Sequence, residues 1–342
     1  MTANRSPSTV HTSVSFTRQL GIEYPLICGA MFPCSNPELV AAVSEAGGIG
    51  IVQPVSLTYV HGHEYRAGLK RIKALTSKPI GFNALIEQSS QAYHERMVRW
   101  LDIALEEGVR FVVTSLGKPR WVVDRVHAVG GVVYHDVTDA RWAGKAVESG
   151  VDGLIAVNSR AGGHAGTMAP EALLEALLPF GLPVVGAGGV GSAEDFVRLL
   201  RMGYAAAQVG TRFIATTECA SSPAYKQAIV DAGEDDIVLT ERLTGVPVAV
   251  INTPYVQRTG TRAGPIARWM LRGRKTKHWM RSIYAVRAAL RAKADQKAQG
   301  EQTYYQAGKS VAGIEGIRPA GEIVREFGEA WRTAAKTTAS GE

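Results

Sequence analysis

Between residues 25 and 209 the chain repeats one unit: a short apolar stretch, a polar loop, an amphipathic segment, and a glycine before the next apolar stretch. The stretches read as strands are 25–31, 48–53, 80–85, 109–114, 132–137, 153–157, 184–187 and 206–209. Their near-continuous apolar character is that of parallel strands covered on both faces. Between them, a helix over 36–46 opens with an Asn cap and Pro37 in its first turn. A second, over 95–107, puts Met97, Leu101 and Leu105 on one face. Gly47, Gly108, Gly130, Gly150, Gly181 and Gly203 stand where a helix has to stop. Eight such units predict a closed (β/α)8 barrel, with an open doubly wound sheet as the alternative. A barrel places function at the C-terminal ends of its strands.

At 342 residues, the chain suits one barrel with an addition. The division read is a disordered leader over 1–15, the barrel over 16–235, a smaller helical accessory segment over 236–309 and a returning helix over 310–342. The first 15 residues are polar and lack the apolar core of a signal peptide. No run approaches the roughly 18 apolar residues of a membrane span. Cys28, Cys34 and Cys219 have neither the number nor the spacing of a disulfide or zinc framework, so the expectation is a reducing cytoplasm and no metal.

The stretch 182–215 reads as strand, glycine turn (Gly186, Gly188, Gly189, Gly191), helix, and a second strand ending at Gly210-Thr211. Such turns let backbone N–H groups converge on an anion, and the loops after strands seven and eight of a barrel commonly hold a phosphate. A phosphorylated cofactor is therefore expected there. Of the other strand ends, Gly29-Ala30-Met31 would let a flat ring approach the backbone, and Asn83 and Gln53 could bond a heterocycle's edge. For Gln53 packing and turn closure is the preferred reading. His164, among glycines in Asn158-Ser-Arg-Ala-Gly-Gly-His-Ala-Gly166, has no apolar face to pack into and suits proton transfer or charge stabilisation. His135 lies one residue before the end of its strand and could point outward.

Together these segments resemble the nitronate monooxygenase family, which includes FMN-dependent NADH:quinone reductases and flavin enoyl-acyl-carrier-protein reductases. The resemblance lies in GAM at 29–31, AGGIG at 46–50, GFNALI at 81–86, AGGHAG at 161–166, GAGGVG at 186–191 and VGTRFIATTEC at 209–219. It implies a (β/α)8 barrel with non-covalent FMN. Gly29, Ala30, Met31, Asn83, Gly162 and Gly163 would contact the cofactor, Gly188, Gly189, Gly210 and Thr211 its phosphate, and His164 would be the catalytic histidine. The implied activity is oxidation of alkyl nitronates with dioxygen, the alternatives being an NAD(P)H-dependent reductase of quinones or enoyl thioesters and a flavin-binding, carrier-docking protein. The substrate would then be a nitronate, a quinone or an enoyl thioester. Ala30, Pro33, Cys34, Arg160 and Asp136 depart from the family pattern, on what is read as the substrate side.

After residue 235 the repeat stops. Residues 262–297 hold eleven Lys or Arg and one acidic residue, a local charge of +10 in a chain whose total is +7. Everything else is therefore net negative. Trp269, Met270, Trp279, Met280, Ile283 and Val286 are interleaved at amphipathic spacing. The segment reads as a solvated helical face, as a dock for an anionic partner such as a nucleotide diphosphate, coenzyme A or an acyl carrier, or as a contact with a membrane surface. Nucleic acid is not an expected partner, and an oligomer is possible. The 304–308 stretch is expected to pass near the site and 320–336 to complete the barrel wall.

Overall fold

Strands β1 (Leu26–Cys28), β2 (Ile49–Val52), β3 (Gly81–Leu85), β4 (Phe111–Ser115), β5 (Val132–Val137), β6 (Gly153–Val157), β7 (Val184–Ala187) and β8 (Ala206–Val209) pair in chain order and close on themselves. The pairing is parallel throughout, and β1 completes the ring by lying between β2 and β8, with Ile27 opposite both Ile49 and Gln208. This is a TIM barrel. The computed structural model describes residues 9–87, 90–243, 245–262 and 304–339.

Alternation along each strand divides the core in two. Ile27, Ile49, Ile51, Phe111, Val113, Tyr134, Ile155 and Val185 fill the barrel interior, while Val112, Val133, Leu154 and Ala207 belong to the layer beneath the helices. Those helices are α2 (Pro37–Glu45), α3 (Tyr65–Leu75), α4 (Gln91–Glu106), α5 (Arg120–His127), α6 (Ala140–Glu148), α7 (Pro170–Leu177) and α8 (Ala193–Arg201). The six glycines expected to stop helices all have positive φ, from +70° to +116°, a conformation open to glycine at no steric cost.

Residues 9–15 correct the reading of a disordered leader, because α1 (Thr9–Leu20) begins there. Ser13, Phe16, Thr17 and Leu20 recur at helical spacing and are buried. Phe16 meets Tyr134 of the barrel interior edge-on at 5.7 Å, and the Tyr134 hydroxyl donates to Gln19 at 3.0 Å. Half of that buried face is hydroxyl side chains, so hydrophobicity alone does not reveal it.

Past β8 come α9 (Thr211–Ile214) and α10 (Pro223–Asp231), then β9 (Ile237–Thr240) and β10 (Val248–Ile251), paired antiparallel. The accessory segment, read as helical, thus opens as a β-ribbon before α11 (Pro254–Thr259). The β-branched runs Ile-Val-Leu-Thr and Val-Ala-Val-Ile favour strands. Of the basic stretch 262–297, all but Arg262 lies outside the described residues. Helix α12 (Ala320–Ala339) fills the wall between α8 and α2. Phe327 stacks on Phe196 at 5.5 Å, and Gly328 lets the helix press on Tyr24, where a Cβ would come within 2.2 Å of the ring.

Candidate active site

The strands are buried along most of their length and open at one end. Asn83 and Leu85 in β3, Ser115 in β4, Asp136 in β5, Val157 in β6 and Gln208 in β8 are the half-exposed residues near the C-terminal strand ends. By alternation from the interior residues Val113, Tyr134, Ile155 and Ala206, the side chains of Ser115, Asp136, Val157 and Gln208 face inward. Asn83 does so too, lying between Phe82 and Ala84 of the outer layer. This is the mouth of the barrel.

Two strand-end residues do not join it. Gln53 accepts from the Ser56 N–H at 2.6 Å, which is the turn closure expected of it. His135 faces the helix layer, where its Nδ1 lies 2.7 Å from the Thr114 hydroxyl, and burial pushes its pKa down to about 4.

The β1 loop enters the mouth from one side. Gly29 is needed at close quarters, since a Cβ there would come within 3.0 Å of the Gln208 side chain. Beyond Ala30, Met31 and Ser35 tie the loop reciprocally: the Met31 N–H donates to the Ser35 hydroxyl at 2.9 Å and the Ser35 N–H to the Met31 carbonyl at 2.8 Å. Met31 also reaches the end of β8, where a Cβ on Gly210 would lie 3.5 Å from its sulfur.

At the ends of β7 and β8, Gly188 and Gly189 have φ of +116° and +85°. A Cβ at Gly188 would stand 2.5 Å from both the Ala161 backbone nitrogen and Asn158 Oδ1, so only glycine lets this turn pass the β6 loop. The N–H groups of Gly188, Gly189 and Gly210 make none of the loop and turn hydrogen bonds found among the described residues. By contrast α8 is already capped: Ser192 and Asp195 form a capping box, and Asp195 accepts from the N–H groups of Gly191 and Ser192. The free donors lie in the glycine turns, and the helix end offers fewer.

The His164 loop leaves β6 through Asn158, which is fully buried. The Asn158 side chain accepts from the Arg160 N–H at 2.8 Å and donates to the Gly188 carbonyl at 3.1 Å, locking the β6 loop to the β7 turn. Ribbon strand β10 then grips the loop, the Ala249 N–H donating to the Gly163 carbonyl at 2.8 Å. Residues 304–309 run along β10, with Ile251 donating to Tyr305 and Ala307 to Ala249. The Gly308 N–H donates to the Thr211 hydroxyl at 3.0 Å, and a Cβ on Gly162 would collide with Gly308. His164 itself is exposed. Gly162 and Thr211, scattered in the chain, thus meet at one strap, while Gly163 is held by β10 and Gly188 by Asn158.

Arg160 corrects its reading as a substrate-side departure. It turns away to pair with Glu234. A cavity of about 380 Å³ lies beside it, lined by Ser159, Arg160, Glu171, Asp195, Arg198 and Lys309 together with Gly188 and Gly189. His164, Asn83 and Gly29 are not part of that cavity, and its cations are already paired, Arg160 and Lys309 with Glu234 and Arg198 with Asp195. It is therefore not the mouth. Gln208 and Glu234 were missed from sequence; for Gln208 the signal was available, as the inward residue two positions past Ala206.

The family model for nitronate monooxygenase matches residues 14–329. The chain belongs to the nitronate monooxygenase family. Membership makes it an enzyme of the flavin oxidoreductase kind. Among relatives of this nitronate monooxygenase family member, the (3aS,4S,5R,7aS)-5-hydroxy-7a-methyl-1-oxo-octahydro-1H-indene-4-carboxyl-CoA dehydrogenase of Mycobacterium tuberculosis is 30% identical over 253 residues, 72% of this chain and 69% of the relative. A nitronate monooxygenase of Pseudomonas aeruginosa is 30% identical over 273 residues, 67% of this chain and 77% of its own. Among solved structures, FabK from Thermotoga maritima superposes with a TM-score of 0.76 at 25% identity, covering 96% of this chain and 99% of that one. Among the described residues no helix is long and apolar enough to cross a membrane, and no group of three or more His, Cys, Asp and Glu could hold a metal.

Proposed function

We propose that this protein is an FMN-dependent oxidoreductase acting on a carbon acid carried as an acyl-coenzyme A thioester. The observation that carries the cofactor is the set of uncommitted N–H groups on Gly188, Gly189 and Gly210 beside a mouth edged with polar side chains. Those residues fit FMN: three backbone donors suit a phosphate, and at Gly210 a Cβ would touch nothing nearer than Met31 at 3.5 Å, leaving room for a group to approach the backbone. Bound FMN would supply a two-electron acceptor. Asn83 would orient the ring edge by its amide, Gly29 and Ala30 would admit the ring, and Met31 would pack against it. His164, on a loop gripped by β10, would take the proton of the carbon acid at an imidazole nitrogen.

The thioester is favoured by the Mycobacterium relative named for a carboxyl-CoA substrate, and by a second of the same name in Rhodococcus jostii, 30% identical over 264 residues. The net charge of +10 in residues 262–297 supports it, because coenzyme A is polyanionic. A second reading, oxidation of alkyl nitronates with dioxygen, is supported by the family model and the Pseudomonas relative. Anaerobic mixing of the FMN-loaded protein with acyl-CoA thioesters, alkyl nitronates and NADPH separates the two. Flavin bleaching by a thioester, or its reoxidation by an enoyl thioester after NADPH, is the expected result. Bleaching by nitronates alone would replace the thioester reading with the second one.

A further inference from the structure

At the end of β5, Asp136 presents a carboxyl group to the barrel mouth, and at the end of β8 Gln208 presents an amide to it. The two lie 72 positions apart in the chain, and the Gln208 amide acts on the Asp136 carboxyl in the direction that lowers its pKa. Their pairing is incomplete. Asp136 Oδ1 and Gln208 Oε1 are both buried, and among the described residues neither has a hydrogen-bond partner. Two stranded acceptors in one place destabilise the fold, since each has given up water without gaining a donor. One proton on Asp136 removes the conflict, because it turns the carboxyl into a donor. The site is built for an acid that keeps its proton, in a residue that is still half-exposed toward the mouth.

The surroundings agree. Beside Asp136 the inward residues are Ser115 on β4 and Ile155 on β6, neither of which titrates near neutrality. Its sequence neighbour His135 lies across the sheet, bound to Thr114. Among the described residues no charged side chain acts on the carboxyl: burial pushes its pKa up to about 7, and the Gln208 hydrogen bond pulls against that rise. An acid poised near neutral pH at a strand end can release and recover a proton during turnover.

We propose that Asp136, braced by Gln208, is a second proton-exchanging residue of the mouth, acting on the ligand from the β5 side while His164 acts from the β6 loop. The inference rests on the flavin reading above. Its test is therefore a titration that needs no substrate: the visible absorption band of the FMN-loaded protein followed from pH 5 to 9. In the parent protein the band should shift with a midpoint near 7. In Asp136→Asn, which keeps the shape and the neutral state, that transition should vanish. In Gln208→Leu it should move to higher pH, since the bond that lowers the pKa is gone.

The thermal unfolding of cofactor-free protein provides a second readout. A folded-state pKa raised above the unfolded value of 3.8 favours folding most at low pH, and that contribution is lost as pH rises through 7. Asp136→Asn should flatten the decline between about pH 4 and 7. A band transition that persists unchanged in Asp136→Asn would overturn the proposal, as would a parent protein with no transition near 7 in either measurement. Failure of every thioester and nitronate to reduce the flavin would count against the proposed function and would leave these titrations readable.

Discussion

Arg160 holds Glu234 through both arms of its guanidinium, Nη1 to Oε1 at 2.9 Å and Nη2 to Oε2 at 2.7 Å, and Lys309 adds a third bond to Oε1 at 3.1 Å. One carboxylate thereby joins the His164 loop, the turn before β9 and the strap over Thr211. The bidentate geometry is the strong form of such a pair, although each side chain is about a third exposed.

Breaking this clamp should cost stability in a pH-dependent way. Arg160, followed by Lys309, holds the Glu234 carboxyl below its ordinary range against a smaller opposing effect of burial. Its contribution is present above the ordinary value of 4.5 and is lost as pH falls through the lowered one. A double-mutant cycle on Arg160→Ala and Glu234→Ala, read by urea unfolding at pH 7, should return a coupling of about 1 kcal/mol after allowance for solvent screening. The coupling should shrink as pH falls below 4.5 and through the lowered value. A coupling of zero at pH 7 would mean that the strap is held by its backbone bonds alone.

Gly210→Asp tests the phosphate site more cleanly than a change at Gly189. At Gly189 a side chain would meet Arg160 at 2.8 Å on a backbone with φ of +85°, so misfolding would confuse the result. At Gly210 φ is −112°, and the space is clear as far as Met31. The Asp variant should fold with an unchanged melting temperature and purify colourless, because the new charge would repel a phosphate. Full retention of FMN would remove Gly210 from the cofactor site.

His164→Ala should leave folding and FMN content intact, since the residue is exposed and its loop is held by Gly163 and Asn158. Turnover should fall by roughly 10² to 10⁴, the range typical of a lost general acid or base. The loss should be larger for a neutral carbon acid than for a preformed anion, as only the former needs deprotonation. Equal turnover by variant and parent on both substrate forms would exclude His164 from the proton step.

The basic segment can be tested through residues outside the described structure. Changing Arg272, Arg274, Lys275 and Lys277 to Gln should raise KM for an acyl-CoA and weaken its salt dependence, as the lost attraction is screened over about 8 Å at physiological ionic strength. Maximal turnover should hold, because the charges would act on encounter and ground-state binding. An unchanged KM at both low and high salt would assign the segment to a solvated surface.

Local pattern was enough to define the barrel. Eight buried runs, amphipathic helices and six helix-ending glycines with positive φ are consequences of short-range sterics and periodicity, and they can be read residue by residue. The glycine turn at 188–189 was legible for the same reason, as glycine alone adopts those conformations at no steric cost. Helix α1 was not legible, because its buried face carries Ser13 and Thr17, whose burial depends on the barrel floor they meet. The ribbon β9–β10 was not legible either, since strands of four residues are stabilised by the His164 loop and the 304–309 strap they pair with.

The amino-acid sequence by itself determined the strand count and the direction of the mouth, because each follows from alternation and chain order. Only the tertiary structure decided which residues meet. Asp136 with Gln208, Arg160 with Glu234 and Thr211 with Gly308 are pairs separated by 72, 74 and 97 positions. Such contacts arise when closure of the barrel brings distant strand ends to one opening. Their energies, and the ionisation of Asp136 above all, come from burial and partners that no local stretch of the chain contains.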